Sequence, residues 1–259
     1  MSPDNGKVQI PWQLAEQIIH TEMSITTLRL LFSMLHQLDL ADLDYQDASL
    51  EPPTIWASCA ALRARVGPKR PNGARDMRTA LRELLNIGYL EAGALLDRNT
   101  IFQWQFSSAV WAHMQNRPSD FYVLIDLDEL AKCQSWFTLM IYVQMRKIRG
   151  CAAPQFRVGI DQDASIAAQT KRLLGATQRV AGILDVTCYV SLNYASHAPI
   201  PHHFLIKMTH AKTRWYKHAY LKFSPKTKIW RVDSTTSKRS DPRTIMQNRA
   251  DKMAQDVAG

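Results

Sequence analysis

ARDMRTALRELLNIGYL, residues 74–90, is the stretch on which the fold of this chain turns. Met77, Ala80, Leu81, Leu84, Leu85 and Ile87 recur at three- and four-residue spacing, which makes one apolar stripe on a helix. Arg75, Arg78 and Arg82 fall at i, i+3 and i+7 on one polar flank. Gly88 follows the last apolar position, where a left-handed helix cap belongs. An extended segment starts at Tyr89-Leu90-Glu91. A second one, residues 100–106, returns after the turn signal Asp97-Arg98-Asn99.

Helix, glycine stop and two-stranded ribbon is the layout of a winged helix. The preceding segment fits: residues 58–66 (SCAALRARV) form a short helix that Gly67-Pro68 stops. The linker that follows carries Lys69 and Arg70. Between residues 63 and 82 stand seven Lys or Arg (63, 65, 69, 70, 75, 78, 82) against one acid, Asp76. A helix of about 14 residues is about 20 Å long, and a major groove accepts such a helix. The arginine flank is therefore a candidate DNA contact; the bland alternative is a solvated basic face.

With 259 residues the chain makes one large domain or two small ones. It is 46% hydrophobic and 21% charged, as ordinary soluble proteins are, so the distribution of its net charge of +9 says more than the total. Residues 38–51 hold five acids (39, 42, 44, 47, 51) and no Lys or Arg. Residues 186–232 hold no acid and eight basic residues: Lys207, Lys212, Arg214, Lys217, Lys222, Lys226, Lys228 and Arg231. Solubility does not require such segregation; a polyanion-binding face does. Cys59, Cys133, Cys151 and Cys188 are far apart with no CxxC pair, which predicts reduced core cysteines of a cytoplasmic protein and neither zinc site nor disulfide framework. Residues 1–9 are polar and do not read as a signal peptide. No apolar run approaches the roughly 18–20 residues of a membrane helix.

Taken in order, residues 1–11 read as a flexible arm and residues 12–117 as a first winged-helix domain. Ser24 or Thr26 caps a packing helix with Leu28, Leu31, Phe32, Leu35 and Leu38 on one stripe. Residues 118–234 read as a second winged-helix domain carrying an additional basic β-ribbon, and residues 235–259 as a polar tail or marginal helix. The second domain opens on a strand (121–125) and a short helix that Asp126 caps. A strong helix (135–148) follows, with Phe137, Met140, Ile141 and Met145 inward. Residues 163–183 have helical spacing with basic and amide residues: Gln169, Lys171, Arg172, Gln178 and Arg179. Gly175 weakens this stretch by roughly 1 kcal/mol relative to Ala, which allows either one helix or two with a turn. The fold class is thus α+β, two winged-helix domains in tandem with a basic ribbon near the C-terminus.

The order resembles that of plasmid replication initiators with two winged-helix domains. The first domain's helix stop reads Leu84-Leu85-Asn86-Ile87-Gly88-Tyr89-Leu90, like the family's "L..LG" stop before a wing. The junction has Asp126-Leu127-Asp128-Glu129-Leu130 after its strand. Then comes Ser135-Trp136-Phe137-Thr138-Leu139-Met140-Ile141-Tyr142, like the family's "S-[aromatic]-x-L-x-x-Y". The resemblance covers about residues 12–210. The segment after residue 210 departs from it, as does the single stretch around Gly175. The resemblance implies binding of repeated origin sites in double-stranded DNA by both domains. It also implies a homodimer that represses, a monomer that opens the origin, and recruitment of host replication proteins.

The rival chemistry is origin nicking, which uses a His pair for a divalent metal and a Tyr nucleophile. His202-His203 and Tyr216, Lys217 and Tyr220 carry the right letters. Adjacent histidines on a regular strand point to opposite faces, however, and do not share one metal. The aromatics Trp215, Tyr216, Tyr220, Phe223 and Trp230 either stack on opened bases or pack a small sheet. No G-x-x-x-x-G-K-[ST], G-x-S-x-G or HExxH occurs. The reading is therefore non-enzymatic, without cofactor or metal. Its DNA contacts are Lys69, Arg70, Arg75, Arg78 and Arg82 in the first domain, Lys171, Arg172 and Arg179 in the second, and Lys217 and Lys222 on the ribbon. A winged-helix transcriptional regulator, a metal-dependent nicking protein and an adaptor are the alternatives. Arg78→Ala is expected to weaken binding to the target duplex by about 1–3 kcal/mol and to relax specificity at one position. Unchanged affinity in a titration would remove residues 74–87 from the interface.

Overall fold

The computed structural model describes residues 6–41, 51–66, 73–115, 121–194, 201–210 and 227–241, with positions 221, 223, 243–245, 247 and 250. The chain divides into two compact units, Met1–Lys147 and Ile148–Gly259. Both are mixtures of helices and antiparallel sheet.

The first unit runs β1 (Lys7–Pro11), α1 (Trp12–His20), α2 (Ile25–Leu40), β2 (Thr54–Ser58), α3 (Cys59–Val66) and α4 (Gly73–Ile87). It continues through β3 (Leu90–Leu96), β4 (Ile101–Phe106), α5 (Ser108–Gln115), β5 (Tyr122–Asp126), α6 (Leu127–Ala131) and α7 (Trp136–Ile148). Strands β2, β4 and β3 form an antiparallel sheet in that order, with Phe102, Trp104 and Phe106 turned into the core. Helix α2 is the centre. Its expected stripe is buried, and Leu30 and Met34 on the opposite side are buried too. A helix with apolar residues on opposite sides must be covered on both, and β1, α3, α4 and α6 pack against it.

Three polar devices fix this packing. Ser24 caps α2, its hydroxyl accepting the Thr27 N–H at 3.1 Å. Glu83, reaching over from α4, accepts the Ser24 N–H at 2.7 Å and the Thr27 hydroxyl, so its carboxylate sits at the positive end of α2. Helix α4 ends as the sequence predicts. Gly88 has φ +84°, Tyr89 N–H bonds Leu84 C=O at 3.0 Å and Gly88 N–H bonds Leu85 C=O at 3.1 Å. That is the six-to-one and five-to-two pattern of a Schellman stop. Tyr89 then hydrogen-bonds Thr21 at 2.9 Å, tying the start of the ribbon to the α1–α2 corner. Elsewhere, buried Arg29 donates to the Ala131 and Cys133 carbonyls at the end of α6.

Three expectations need correction here. Lys7–Pro11 is no flexible arm but strand β1, because Val8 and Ile10 pair with Ile125 and Val123 of β5 and all four are buried. The β1–β5 pairing and the packing of α2 on α6 also carry residues 121–147 into the first unit. The units therefore part after Lys147, not at the expected 117/118 boundary. In α7 the inward face includes Leu139, Tyr142 and Val143, whereas Phe137 and Met140 are only half-buried. Tyr142 is held inward by polar partners. Its hydroxyl, which burial keeps protonated, donates to Glu129 at 3.0 Å, and Glu129 is ion-paired with Arg146. Asp126 caps α6 as expected, accepting the Asp128 and Glu129 N–H groups at 3.0 and 3.1 Å.

The second unit holds β6 (Gln155–Gly159), α8 (Ile166–Leu184), β7 (Val186–Tyr194), β8 (Pro201–His210), β9 (Ile229–Val232) and β10 (Ser237–Ser240). The five strands are antiparallel in the order β10-β9-β7-β8-β6. Helix α8 passes unbroken through Gly175 and buries Leu173, Ala176, Val180, Ala181 and Leu184. It stops at Asp185, whose φ of 51° supplies the left-handed turn that Gly88 supplies in the first unit. The start of the expected polar tail is part of this core: Ser237–Ser240 is a strand, and Ile245 is buried with Leu221, Tyr189 and Ile229.

Glu83→Ala is expected to lower the unfolding free energy by about 2 kcal/mol, since each hydrogen bond to a charged partner contributes about 1.5–3 kcal/mol. Urea denaturation checks this, and an unchanged midpoint would dissociate the carboxylate from helix docking.

Candidate nucleic-acid interface

Helix α4 buries Met77, Ala80, Leu81 and Leu84 and leaves Arg75, Arg78 and Arg82 exposed, together with Thr79 and Asn86. The three guanidinium groups stand on one side of the helix over about 10 Å at 1.5 Å per residue. Arg78 also donates from Nη2 to Asn99 Oδ1 at 3.2 Å, which couples the helix to the turn between β3 and β4. A guanidinium has five N–H donors, so this bond leaves Arg78 able to serve a further acceptor.

That turn is unusual. Asp97, Arg98 and Asn99 have φ of 44°, 50° and 68°, three consecutive non-glycine residues in the left-handed region. Asp and Asn tolerate that region through local hydrogen bonds; Arg has no such help, and the conformation costs it about 1–2 kcal/mol. Thr100 steadies the turn, its hydroxyl donating to the Asp97 carbonyl at 2.8 Å. The exposed cation of Arg98 stands at the tip of the ribbon, beside the bond that holds Arg78. Sequence reasoning took residues 97–99 only as a turn and missed this cation. A basic residue at the centre of a polar turn between two strands was the available signal.

In the second unit Lys171, Arg172 and Arg179 are exposed on α8, opposite its buried stripe. They share that face with Ala168 and Gly175, and a Cβ added at Gly175 would meet nothing within 4 Å. The face is therefore basic and low, with short residues between the cations. Gln169 does not join it. Its side chain is committed to the preceding loop, donating to Asp161 and Ala164 carbonyls at 2.7 and 2.9 Å and accepting the Asp161 N–H at 2.9 Å. Lys69, Arg70, Lys217 and Lys222 lie outside the described residues, as do Trp215, Tyr216 and Tyr220. Of the ribbon aromatics that are described, Phe223 packs on Tyr189 with ring centroids 6.0 Å apart and Trp230 is half-buried, so these two build the sheet.

His202 and His203 differ from the expectation for a regular strand. The β7–β8 register slips between Asn193↔His203 and Tyr194↔Pro201, leaving His202 as the extra residue of a bulge. The two Nδ1 atoms consequently lie 3.4 Å apart instead of on opposite faces. Among the described residues no group of three or more His, Cys, Asp or Glu is arranged to hold a metal. Cys59, Cys133 and Cys188 are buried thiols, Cys133 pushed up to about 12 by burial; Cys151 is exposed, unlike the core position expected of it. Among the described residues no helix is long and apolar enough to cross a membrane.

The architecture is thus a mixed α/β one in which an exposed basic helix lies over antiparallel ribbons in each unit. Among solved structures it is similar to the Pi initiator protein in complex with iteron DNA, with a TM-score of 0.58 and 10% sequence identity. The match covers 81% of this chain and 99% of that one, and at that identity it is a likeness of fold. No protein-family model matches the sequence, and comparison with curated proteins gives no match.

Gly175→Ala is expected to raise the stability of the second unit by about 1 kcal/mol, because the site has room and the helix gains propensity. Gly175→Gln should keep the fold and lower DNA affinity if the α8 face lies against a duplex. A thermal melt and a binding titration on the two variants separate these effects.

Proposed function

We propose that this protein binds double-stranded DNA sequence-specifically at repeated origin sites and initiates plasmid replication. The two units act as tandem winged-helix domains, with α4 and α8 as recognition helices and the β3–β4 ribbon as a wing. The observation that carries this reading is the repeated design. Each unit has a helix with one face buried in the core and the other exposed and arginine-bearing, followed at once by an antiparallel ribbon. The fold likeness to the Pi initiator protein, solved in complex with iteron DNA, agrees with it.

The division of labour follows from chemistry. Arg75, Arg78 and Arg82 lie on a helix that fits the major groove, where a bidentate guanidinium reads guanine. Arg98 at the wing tip, with Lys69 and Arg70 leading into α4, neutralises phosphates, which position the protein without specifying sequence. Lys171, Arg172 and Arg179 do the same work for the second helix. Phosphate neutralisation releases counterions, so affinity falls steeply with salt. The activity needs no cofactor and no catalytic residue. A cytoplasmic location, a homodimeric form and contact with host replication proteins belong to the same proposal.

The test is footprinting of the purified protein on the DNA flanking its own gene at two salt concentrations, with Mg²⁺ or Mn²⁺ in a parallel lane. Protection over several direct repeats without cleavage is the expected result. A single protected palindrome would assign a transcriptional regulator instead. A metal-dependent strand break would assign a nicking protein, with the His202–His203 pair as the first residues to replace. No protection at low salt would end the DNA-binding account.

A further inference from the structure

The hairpin β9–β10 lies outside the expected DNA-contacting residues, yet its charge and placement call for an explanation. Residues 227–243 carry five basic side chains, Lys228, Arg231, Lys238, Arg239 and Arg243, and all five are exposed. The two acids of the segment serve local turns. Asp233 accepts the Thr235 and Thr236 N–H groups at 3.0 and 2.9 Å, and Asp241 accepts the Arg243 N–H at 2.9 Å. Arg231 and Lys238 are direct cross-strand partners. Like charges directly opposite one another destabilise a ladder, and the 3.9 Å approach of Arg231 to Asp233 is a weak offset.

Its position is fixed against α8. The helix lies against β7, β9 and β10. Gly182 belongs to the same exposed stripe as Gly175 and Arg179, at i+7 and i+3 from them. A Cβ placed on Gly182 would lie 3.4 Å from Ser234 Cβ and 3.7 Å from its Cα. The β9–β10 turn therefore crosses onto the solvent face of α8 one turn beyond Arg179, near enough that a methyl at Gly182 would touch it and a larger side chain would not fit. Arg239 pairs with Trp230 and so lies on the α8 side of the sheet, while Lys238 and Arg231 face the other way. From Lys171 to Gly182 the helix face is about 17 Å long at 1.5 Å per residue, and the hairpin closes that end of it.

We infer that the β9–β10 hairpin is a phosphate clamp: it holds the DNA backbone at the edge of the groove occupied by α8, through Arg239. This rests on the proposed DNA-binding function and names a contact for it that lies outside the recognition helices. The competing account is that lysine and arginine on an edge strand merely block strand pairing between copies. That account predicts altered solubility and no change in DNA contacts.

The deciding variant is Arg239→Ala in the full chain, with Lys238→Ala on the opposite face of the strand as its control, both side chains being exposed and each fold checked by circular dichroism. Binding is measured against a 30-base-pair mixed-sequence duplex and against the gene's flanking DNA over a range of KCl. The slope of log K against log salt should fall by about 1 for Arg239→Ala, roughly 0.9 for the one phosphate that is no longer neutralised, equally on both duplexes, and stay at the wild-type value for Lys238→Ala. Hydroxyl-radical footprints of Arg239→Ala should lose protection at one edge of each site and keep it at the centre. A wild-type slope and footprint in Arg239→Ala would overturn the clamp while leaving the binding function standing. An unmodified protein that binds neither duplex would overturn both. Gly182→Leu drives the turn off α8 without changing charge; loss of the same edge supports the clamp, and retention of the edge overturns it.

Discussion

The carboxylate of Glu83 at the N-terminus of α2 is the contact on which the first unit's exposed face depends. The opening N–H groups of a helix have no partner within it and must be met from outside. Ser24 meets one such need from its own chain, and Glu83 meets the next from α4. That requirement fixes the rotation of α4, since successive residues stand about 100° apart at 3.6 per turn. With Glu83 against α2 and Met77, Ala80, Leu81 and Leu84 in the core, the stripe of Arg75, Arg78 and Arg82 is left exposed. The bond from Tyr89 to Thr21 pins the helix again just after Gly88, and the ribbon starts from that second fixed point.

The second unit reaches a similar arrangement by other means. Helix α8 is longer, is seated by Leu173, Val180 and Leu184 on the sheet, and ends on the left-handed Asp185. Its solvent face is lower, with Ala168 and Gly175 among the cations, and at its end it meets the turn between β9 and β10. Burial does for this helix what a single carboxylate does for α4. In both units the cations owe their orientation to apolar groups behind them, so conservative core changes should alter binding without touching a charge.

What was legible in the sequence was whatever short-range chemistry controls. The stripe and glycine stop of α4, the Ser24 and Asp126 caps and the β3–β4 ribbon each depend on residues within a turn or two, and each formed as read. Strand β1 was not legible, because KVQIP takes its place only through pairing with β5 far along the chain. Strand β10 was hidden for a related reason: SKRS has no apolar residue, and its order comes from β9. Gly175 raised the prospect of a break in α8. A cost of about 1 kcal/mol is small beside burial of several leucine- and valine-sized side chains at about 1.5–3 kcal/mol each, so the helix continues. Of the candidate site, the exposed arginines were readable from spacing. The Arg98 turn and the bulge at His202 were not, since both arise from backbone conformation that pairing imposes.

The central claim is that the exposed faces of α4 and α8 lie on duplex DNA. It is tested most directly by tethering an iron chelate to Arg75→Cys or Arg179→Cys, in a chain with Cys151→Ser, and mapping cleavage of the gene's flanking DNA. The account predicts strand scission inside the protected sites, at distinct positions for the two tethers, each centred on a major groove. Specific binding with no scission from either position would contradict it.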